Sequence, residues 1–182
     1  MNLPNWLTLS RILVIPIIVV LVLMDNLTAQ WFALSLYIVA ALTDFFDGYL
    51  ARKMNAVSSL GRMLDPIADK LIVGALLVVF AFNGSFDATL TVAAVLIMLR
   101  EIAVAGLREH LGSEQITVHV SKIAKYKTTM QLVALGAVMA LPLVPNLQSA
   151  AAALMWLATA LTVYTGYEYF AVSMPHLLKD EK

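Results

Sequence analysis

Long apolar stretches separated by short polar connections dominate the pattern of this chain. Each stretch is predicted to be a helix that crosses a membrane, because it approaches the roughly 20 residues needed to span the hydrocarbon core. The six stretches run from Ile12 to Met24, Trp31 to Leu50, Ile67 to Phe82, Ala88 to Leu107, Ile123 to Leu141 and Leu147 to Phe170. The first and third are short and must extend into their polar flanks. The pattern therefore predicts an all-α integral membrane protein with six transmembrane helices.

The polar connections and the N-terminal segment add detail to this arrangement. Asn83-Gly84-Ser85 and the segment 142–146 have the residues of tight turns. Pro66 has no amide hydrogen, so it is predicted either to start the third helix or to kink it. The first eleven residues, MNLPNWLTLSR, are expected to form a short interfacial segment, in which Asn5, Thr8 and Arg11 approach the candidate site described below. We predict one domain over residues 1–182, with the first stretch retained and not cleaved as a signal peptide.

Composition and charge place the chain in a bilayer and orient it there. Hydrophobic residues make up 61% of the chain and its mean hydropathy is +0.85, which is too apolar for an ordinary soluble domain. The absence of cysteine excludes disulfides. The net charge is zero, but the connections at 25–30, 83–87 and 142–149 contain no Lys or Arg. By the positive-inside rule, both termini and the acid-rich connection after the second helix are expected to face the cytoplasm.

Four aspartates flank the connection between the second and third predicted helices: Asp44, Asp47, Asp65 and Asp69. The spacing of three in the first pair and four in the second places each pair on one helix face. Four carboxylates facing one another cannot all stay ionised without cations among them. Oxygen ligands, with no cysteine in the chain and no histidine in this stretch, favour one or two Mg²⁺ or Mn²⁺ ions over zinc.

The residues between the acidic pairs suit a phosphorylated ligand. Gly48 and Gly61 allow a ligand to approach closely, and Arg52 offers a planar guanidinium to phosphate. Buried acids also serve transporters as counter-ions or proton relays, so the acids alone do not separate catalysis from cation- or proton-coupled transport. The acids do cluster toward one side of the membrane and no internal repeat is visible, which is unlike the arrangement of many transporters.

The spacing of the whole stretch carries a more specific signal. It reads Asp44-x-x-Asp47-Gly48-x-x-Ala51-Arg52, then eight residues, then Gly61-x-x-x-Asp65-x-x-x-Asp69. This pattern resembles, without a departure, the signature of the CDP-alcohol phosphotransferases. The resemblance implies an integral membrane enzyme of phospholipid synthesis that moves a phosphatidyl group from a CDP-linked lipid to an alcohol and releases CMP. It also implies a homodimer, a lipid environment and no nucleic acid partner.

The resemblance further implies roles for the motif residues. Asp44, Asp47 and Asp65 would hold two Mg²⁺ or Mn²⁺ ions against the diphosphate of CDP-diacylglycerol, with Asp69 beside them as a metal neighbour and as the general base. The residues bordering the nucleotide would be Gly48, Ala51, Arg52 and Gly61. No Ser, Cys or His is arranged with a base as a nucleophile, so a direct displacement at phosphorus is expected.

A second group of charged residues bears on the acceptor alcohol. It comprises Arg100, Arg108, Lys125 and Lys127, with Glu101 and Glu109 adjacent to the arginines. Arginine at membrane depth needs a carboxylate, a wet cavity or an anionic ligand, and an acceptor that carries a phosphate would supply the last. Lys122 is more simply explained by the positive-inside rule. We therefore predict an anionic acceptor.

The outer segments NLPNWLTLSR, LREIAVAGLRE and SKIAKYKTTMQ resemble those of family members that use sn-glycerol 3-phosphate, in a bacterial inner membrane. Inositol phosphate, serine or phosphatidylglycerol remain alternative acceptors, and a transporter remains the alternative outside the family. Tyr164, Tyr167, Tyr169 and Phe170 are typical of an aromatic belt. Gly166 would let helices approach closely. His110 and His119 have no metal-ligand partner at helical spacing.

Overall fold

A computed structural model of the protein describes residues 3–24, 26–53, 59–113 and 122–178. The described residues form six α-helices and one short 3₁₀ helix, with no strand among them. The α-helices are α1 (Leu3–Leu23), α2 (Leu27–Lys53), α3 (Ser59–Phe82), α4 (Ala88–Ser113), α5 (Lys122–Met139) and α6 (Gln148–Leu177), and the 3₁₀ helix covers Pro145–Leu147. The predicted all-α fold is confirmed.

One compact unit comprises residues 1–86 and 135–151. Within it, α1 packs against both α2 and α3. Its fully buried side chains include Ile18, Leu76, Leu77, Phe80, Leu135, Val138 and Met139. Tyr37 of α2 is 3% exposed and packs so closely against Gly136 that a Cβ added there would lie 3.3 Å from the tyrosine Cε1. Small and aromatic residues thus fit together at this contact.

A second compact unit comprises residues 87–134 and 152–182. Its core includes Ala94, Ile97, Leu111, Met155 and Ala158. Three buried threonines in the apolar sequence of α6 are satisfied within their own helix, because each hydroxyl donates to a carbonyl four residues earlier. These bonds join Thr159 to Met155, Thr162 to Ala158 and Thr165 to Leu161, at 2.6–2.8 Å.

Four stretches of the described chain are long and apolar enough to cross a bilayer: Trp6–Leu23, Leu27–Asp44, Ala88–Ser113 and Pro145–Pro175. The protein is therefore a multi-pass membrane protein. The described part of α3 includes Asp65, Asp69 and Lys70, and α5 is 18 residues long and begins with three lysines in its first six residues. Because of these charges, the described parts of α3 and α5 do not contain an apolar segment long enough to count as a span. The count of six spans therefore stays a prediction.

Two details near the candidate site differ from the simplest expectation. Residues 3–11 are the first turns of α1 and not a segment separate from it, because no helix breaker follows Pro4 before Pro16. Pro66 lies inside α3, which already begins at Ser59, so it does not start that helix. It cannot donate a hydrogen bond to the carbonyl four residues earlier, next to the motif aspartates.

Short turns at the opposite helix ends are held by side-chain caps. Gly84 has φ +77°, a conformation that favours glycine, and the Asn83 side chain accepts a hydrogen bond from the Ser85 amide at 3.0 Å. Gln30 donates to the carbonyls of Val22 and Met24, at 3.0 and 3.1 Å, where α1 ends. The conformation of Gly84 and the hydrogen bond of Asn83 confirm the predicted turn at 83–85.

Asp87 caps the N-terminus of α4, and its titration gives a test of that turn. Its carboxylate accepts hydrogen bonds from the Leu90 amide and the Thr89 hydroxyl, both at 2.8 Å, and the backbone bond to Leu90 lowers the Asp87 pKa. The cap is therefore complete above the ordinary aspartate pKa of about 4 and is lost as the pH falls through the lowered value.

We expect the hydrogen-exchange protection factor of the Leu90 amide to fall with Asp87 protonation at low pH. In Asp87→Asn, which keeps an acceptor oxygen but does not titrate, the protection should stay flat over the same range. Exchange followed by NMR in detergent micelles would test this. The same decline in both proteins would show that the carboxylate is not the cause.

Candidate functional site

The two halves of the aspartate motif occupy the end of α2 and the start of α3. Five motif residues fall in about the last three turns of α2, and three fall in about the first three turns of α3. The α2 residues are Asp44, Asp47, Gly48, Ala51 and Arg52, and the α3 residues are Gly61, Asp65 and Asp69. The side chains of Asp47, Ala51 and Arg52, and the surroundings of Gly48, lie outside the described part of the structure.

The polar residues of α1 contact both halves of the motif. Arg11, which is 5% exposed, forms an ion pair through Nη1 with Oδ1 of Asp44. One turn earlier, the Thr8 hydroxyl donates to Oδ1 of Asp65 at 2.8 Å and is 2% exposed. Residues 8 and 11 share a helix face, so α1 holds one carboxylate from α2 and one from α3 side by side. The expected approach of Thr8 and Arg11 to the site is confirmed, whereas the Asn5 side chain lies outside the described residues.

The charges of this pair are not balanced by its described partners. Asp65 is close enough to Asp44 for the two negative charges to oppose each other, and Arg11 supplies one positive charge against them. Asp65 is exposed and Asp69, one turn further along α3, is partly buried. Carboxylate oxygens are ligands of hard divalent cations, so the chemistry of these two described donors, Asp44 and Asp65, suits Mg²⁺ or Mn²⁺.

The structure brings Asp44 and Asp65 together on α1. The side chain of Asp47 lies outside the described residues, so the four-carboxylate cluster is described only in part. Among the side chains it describes, no three acidic, histidine or cysteine residues are grouped closely enough to hold a metal ion. Gly61 is buried one turn before Asp65. The close approach of a ligand at Gly48 and Gly61 stays a prediction. The fourfold convergence therefore remains a prediction.

A second charged cluster, in the unit formed by residues 87–134 and 152–182, centres on Glu101. Oε1 of Glu101 accepts hydrogen bonds from Arg100 Nη1 at 3.0 Å and Gln131 Nε2 at 3.3 Å, and forms an ion pair with Lys127. Lys127 is 6% exposed, and the side chains of Arg100 and Glu101 are each 13% exposed. Among the residues that the structure describes, two cations share one carboxylate, so the described part of this cluster carries a net positive charge.

The Glu101 cluster joins α4, α5 and α6. Arg100 Nη2 donates to the Thr165 hydroxyl at 3.1 Å, and Gln131 Nε2 donates to the Thr162 hydroxyl at 2.8 Å. Sequence reasoning named Arg100 and Lys127 but missed Gln131, Thr162 and Thr165 as their neighbours. The sequence did contain a signal for them: each is a polar residue within an apolar stretch, and the two threonines are three residues apart on one helix face.

The other predicted cationic residues are placed differently. Arg108 is exposed, two turns beyond Arg100 on α4. Lys125 belongs to α5, but its side chain lies outside the described residues. Gly166 of α6 lies directly against the Arg100 side chain, so the glycine makes room there for a side chain of α4.

Comparison with known proteins gives one consistent result. Residues 1–164 match the model of a family described as CDP-alcohol phosphatidyltransferase. A relative from Rickettsia typhi is named CDP-diacylglycerol–glycerol-3-phosphate 3-phosphatidyltransferase. It is 42% identical over an alignment of 178 positions, which covers 93% of this chain and 95% of the relative.

Two more distant relatives carry the same name. The relative from Cereibacter sphaeroides is 37% identical over an alignment of 219 positions, which covers 100% of this chain and 99% of the relative. The relative from Bacillus subtilis is 36% identical over an alignment of 184 positions, which covers 93% of this chain and 94% of the relative. The similarity thus extends over nearly the full length of the chain and of each relative.

The ion pair between Arg11 and Asp44 should contribute measurably to stability. We expect Arg11→Met to lower the free energy of unfolding by roughly 1–3 kcal/mol, because it leaves a largely buried carboxylate without its partner. The loss is below that of a fully buried pair since the Asp44 side chain is 34% exposed. Unfolding of the purified protein in mixed detergent micelles would measure it.

A double-variant cycle separates the ion pair from simple packing. In Arg11→Met with Asp44→Asn, the combined loss should be smaller than the sum of the two single losses, because residue 44 is then no longer a charge without its partner. Additive losses would contradict an energetic coupling between the two residues.

Proposed function

The chain belongs to the CDP-alcohol phosphatidyltransferase family, and on this premise we propose that it transfers the phosphatidyl group of CDP-diacylglycerol to sn-glycerol 3-phosphate, releasing CMP. The observation that carries the proposal is the meeting of Asp44 and Asp65, one from each half of the motif, on Thr8 and Arg11 of α1. The names of the relatives support the donor and the acceptor. The product would be phosphatidylglycerophosphate.

The aspartates would form the metal-binding part of the site. Asp44, Asp47, Asp65 and Asp69 would hold Mg²⁺ or Mn²⁺, as two ions, since all four offer carboxylate oxygens and no softer ligand. When bound, the ions would offset the charge of the donor's diphosphate and stabilise the departing CMP. Arg11 and Thr8 would keep the oxygens of Asp44 and Asp65 in place, because each already bonds one of them.

The remaining motif residues would bind the donor and move the proton. Gly48, Ala51, Arg52 and Gly61 would border the nucleotide, with the Arg52 guanidinium directed at phosphate. Asp69 would take the proton from the 1-hydroxyl of sn-glycerol 3-phosphate. The hydroxyl oxygen then attacks the β-phosphorus of CDP-diacylglycerol, a new P–O bond forms, and the bond from that phosphorus to the CMP oxygen breaks.

The cationic residues would select the acceptor by its own phosphate. Arg100, Arg108, Lys125 and Lys127 would bind that phosphate and orient the hydroxyl. The net positive charge of the described part of the Glu101 cluster supports this role, because a neutral alcohol has no charge and serine no net charge to offset it. Inositol phosphate and phosphatidylglycerol also carry a negative phosphate charge and remain the alternatives within the family.

The proposed enzyme would work at a bacterial inner membrane as a single domain over residues 1–182. Six spans would place both termini and the aspartates on the cytoplasmic side, where a soluble phosphorylated acceptor is available. The lipid tails of the donor would stay in the bilayer. A homodimer is expected from the family resemblance.

An acceptor screen tests the proposed reaction directly. Purified protein with labelled CDP-diacylglycerol and Mg²⁺ should form phosphatidylglycerophosphate and CMP with sn-glycerol 3-phosphate, and much less product with serine, inositol phosphate or phosphatidylglycerol. Product identification by mass spectrometry would decide among them. Preference for another acceptor would reassign the enzyme within its family, and failure to release CMP with any acceptor would contradict the proposal.

Asp69→Asn tests the general base. Removing the proton acceptor should lower kcat by roughly 10²-fold or more while the KM for CDP-diacylglycerol changes little. Asp87→Asn, which changes an aspartate that caps α4, is the matched control and should leave kcat unchanged. Normal turnover in the Asp69 variant would remove this residue from the proposed role.

Arg108→Ala tests the acceptor site. Losing one charge-assisted hydrogen bond from an exposed residue should raise the KM for sn-glycerol 3-phosphate on the order of 10-fold, with little effect on the KM for CDP-diacylglycerol. Glu109→Gln, an exposed neighbour, should not raise the acceptor KM. Equal changes in both KM values for Arg108→Ala would indicate a structural role instead.

A further inference from the structure

The Arg100 side chain passes over α6 at the only glycine of that helix. A Cβ added at Gly166 would lie 2.7 Å from Cγ and 3.2 Å from Nε of Arg100. Carbon atoms do not pack at the first of these distances, and Cγ is near the base of the arginine side chain, so it cannot simply swing away. Any larger residue at position 166 would therefore force Arg100 into a different path.

The guanidinium is fixed at its far end as well. Nη2 donates to the Thr165 hydroxyl at 3.1 Å, and Nη1 donates to Oε1 of Glu101 at 3.0 Å. Thr165 donates its own proton to the Leu161 carbonyl at 2.8 Å, so its oxygen presents lone pairs to the arginine. Gly166 and Thr165 thus fix the path and the end of the same side chain from adjacent positions on α6.

This arrangement leaves the guanidinium with hydrogen-bonding capacity. Arginine has five N–H donors, and the bonds above use one on each Nη atom. Nε is buried and donates to none of the described residues, so the N–H groups left for a ligand are the second one on each Nη atom. Among the described residues, Arg100 and Lys127 share the single carboxylate of Glu101. A guanidinium held in one direction, with excess positive charge around it, is pre-organised for an anion.

We infer that Gly166 and Thr165 are positioning residues that aim the Arg100 guanidinium at the phosphate of the acceptor and so favour phosphomonoester acceptors over neutral alcohols. The inference rests on the proposed role of Arg100 in binding that phosphate. It goes further in assigning the direction of the guanidinium to two α6 residues that carry no charge.

The test compares Gly166→Ala with Gly106→Ala. Gly106 is an exposed glycine of α4, and a Cβ added there meets nothing within 4 Å. Gly166→Ala should raise the KM for sn-glycerol 3-phosphate roughly 10-fold or more and leave the KM for CDP-diacylglycerol nearly unchanged, whereas Gly106→Ala should change neither. A second readout needs no turnover: sn-glycerol 3-phosphate should raise the unfolding temperature of the wild type and of Gly106→Ala, but much less that of Gly166→Ala.

Thr165→Val keeps the side-chain shape but removes the hydroxyl, and it should also raise the acceptor KM. This variant tests the inference if Gly166→Ala folds poorly.

In Arg100→Ala the acceptor KM should rise, and adding Gly166→Ala to it should cause little further change, because the glycine acts through the arginine. An unchanged acceptor KM in Arg100→Ala would overturn the proposed acceptor role and this inference with it. A raised KM in Arg100→Ala, with normal values in both Gly166→Ala and Thr165→Val, would overturn the inference alone.

Discussion

Carboxylates placed at the end of an apolar helix need donors from a neighbouring element, and α1 supplies them here. Its first turns carry Arg11 against Asp44 and Thr8 against Asp65, so one helix holds together the two halves of the motif. Without these donors, each carboxylate would lack the ion pair or hydrogen bond that offsets its repulsion from the other. The position of α1 between α2 and α3 is therefore as important to the candidate site as the aspartates themselves.

The cluster around Glu101 also depends on donors from neighbouring helices, but the excess charge of its described residues is positive. One carboxylate receives Arg100, Lys127 and Gln131, and two hydroxyls on α6 each receive one further N–H from Arg100 or Gln131. A polar network of this kind is costly inside a membrane protein unless nearly all of its members are paired. Its surplus of one cation is consistent with a site for an anionic ligand.

The sequence predicted the all-α fold, the motif residues and their family, because these depend on hydrophobic length and on fixed spacing. It also indicated that Thr8 and Arg11 approach the aspartates. It could not predict that Lys127 and Arg100 share Glu101, since partners on different helices depend on helix rotation, which a spacing rule does not determine. The helical continuation of α1 through residues 3–11 was hidden by their mixed polarity, which resembles an interfacial segment.

The contact of Arg100 with Gly166 has a consequence for how substrate preference in such a chain can change. A larger residue at position 166 has no room while a long side chain occupies position 100, and a short side chain at position 100 would leave a void beside the glycine. Each single change is thus penalised for a different reason. On the proposed role of Arg100 in binding the acceptor phosphate, a redesigned protein for uncharged alcohols would need both residues exchanged at once.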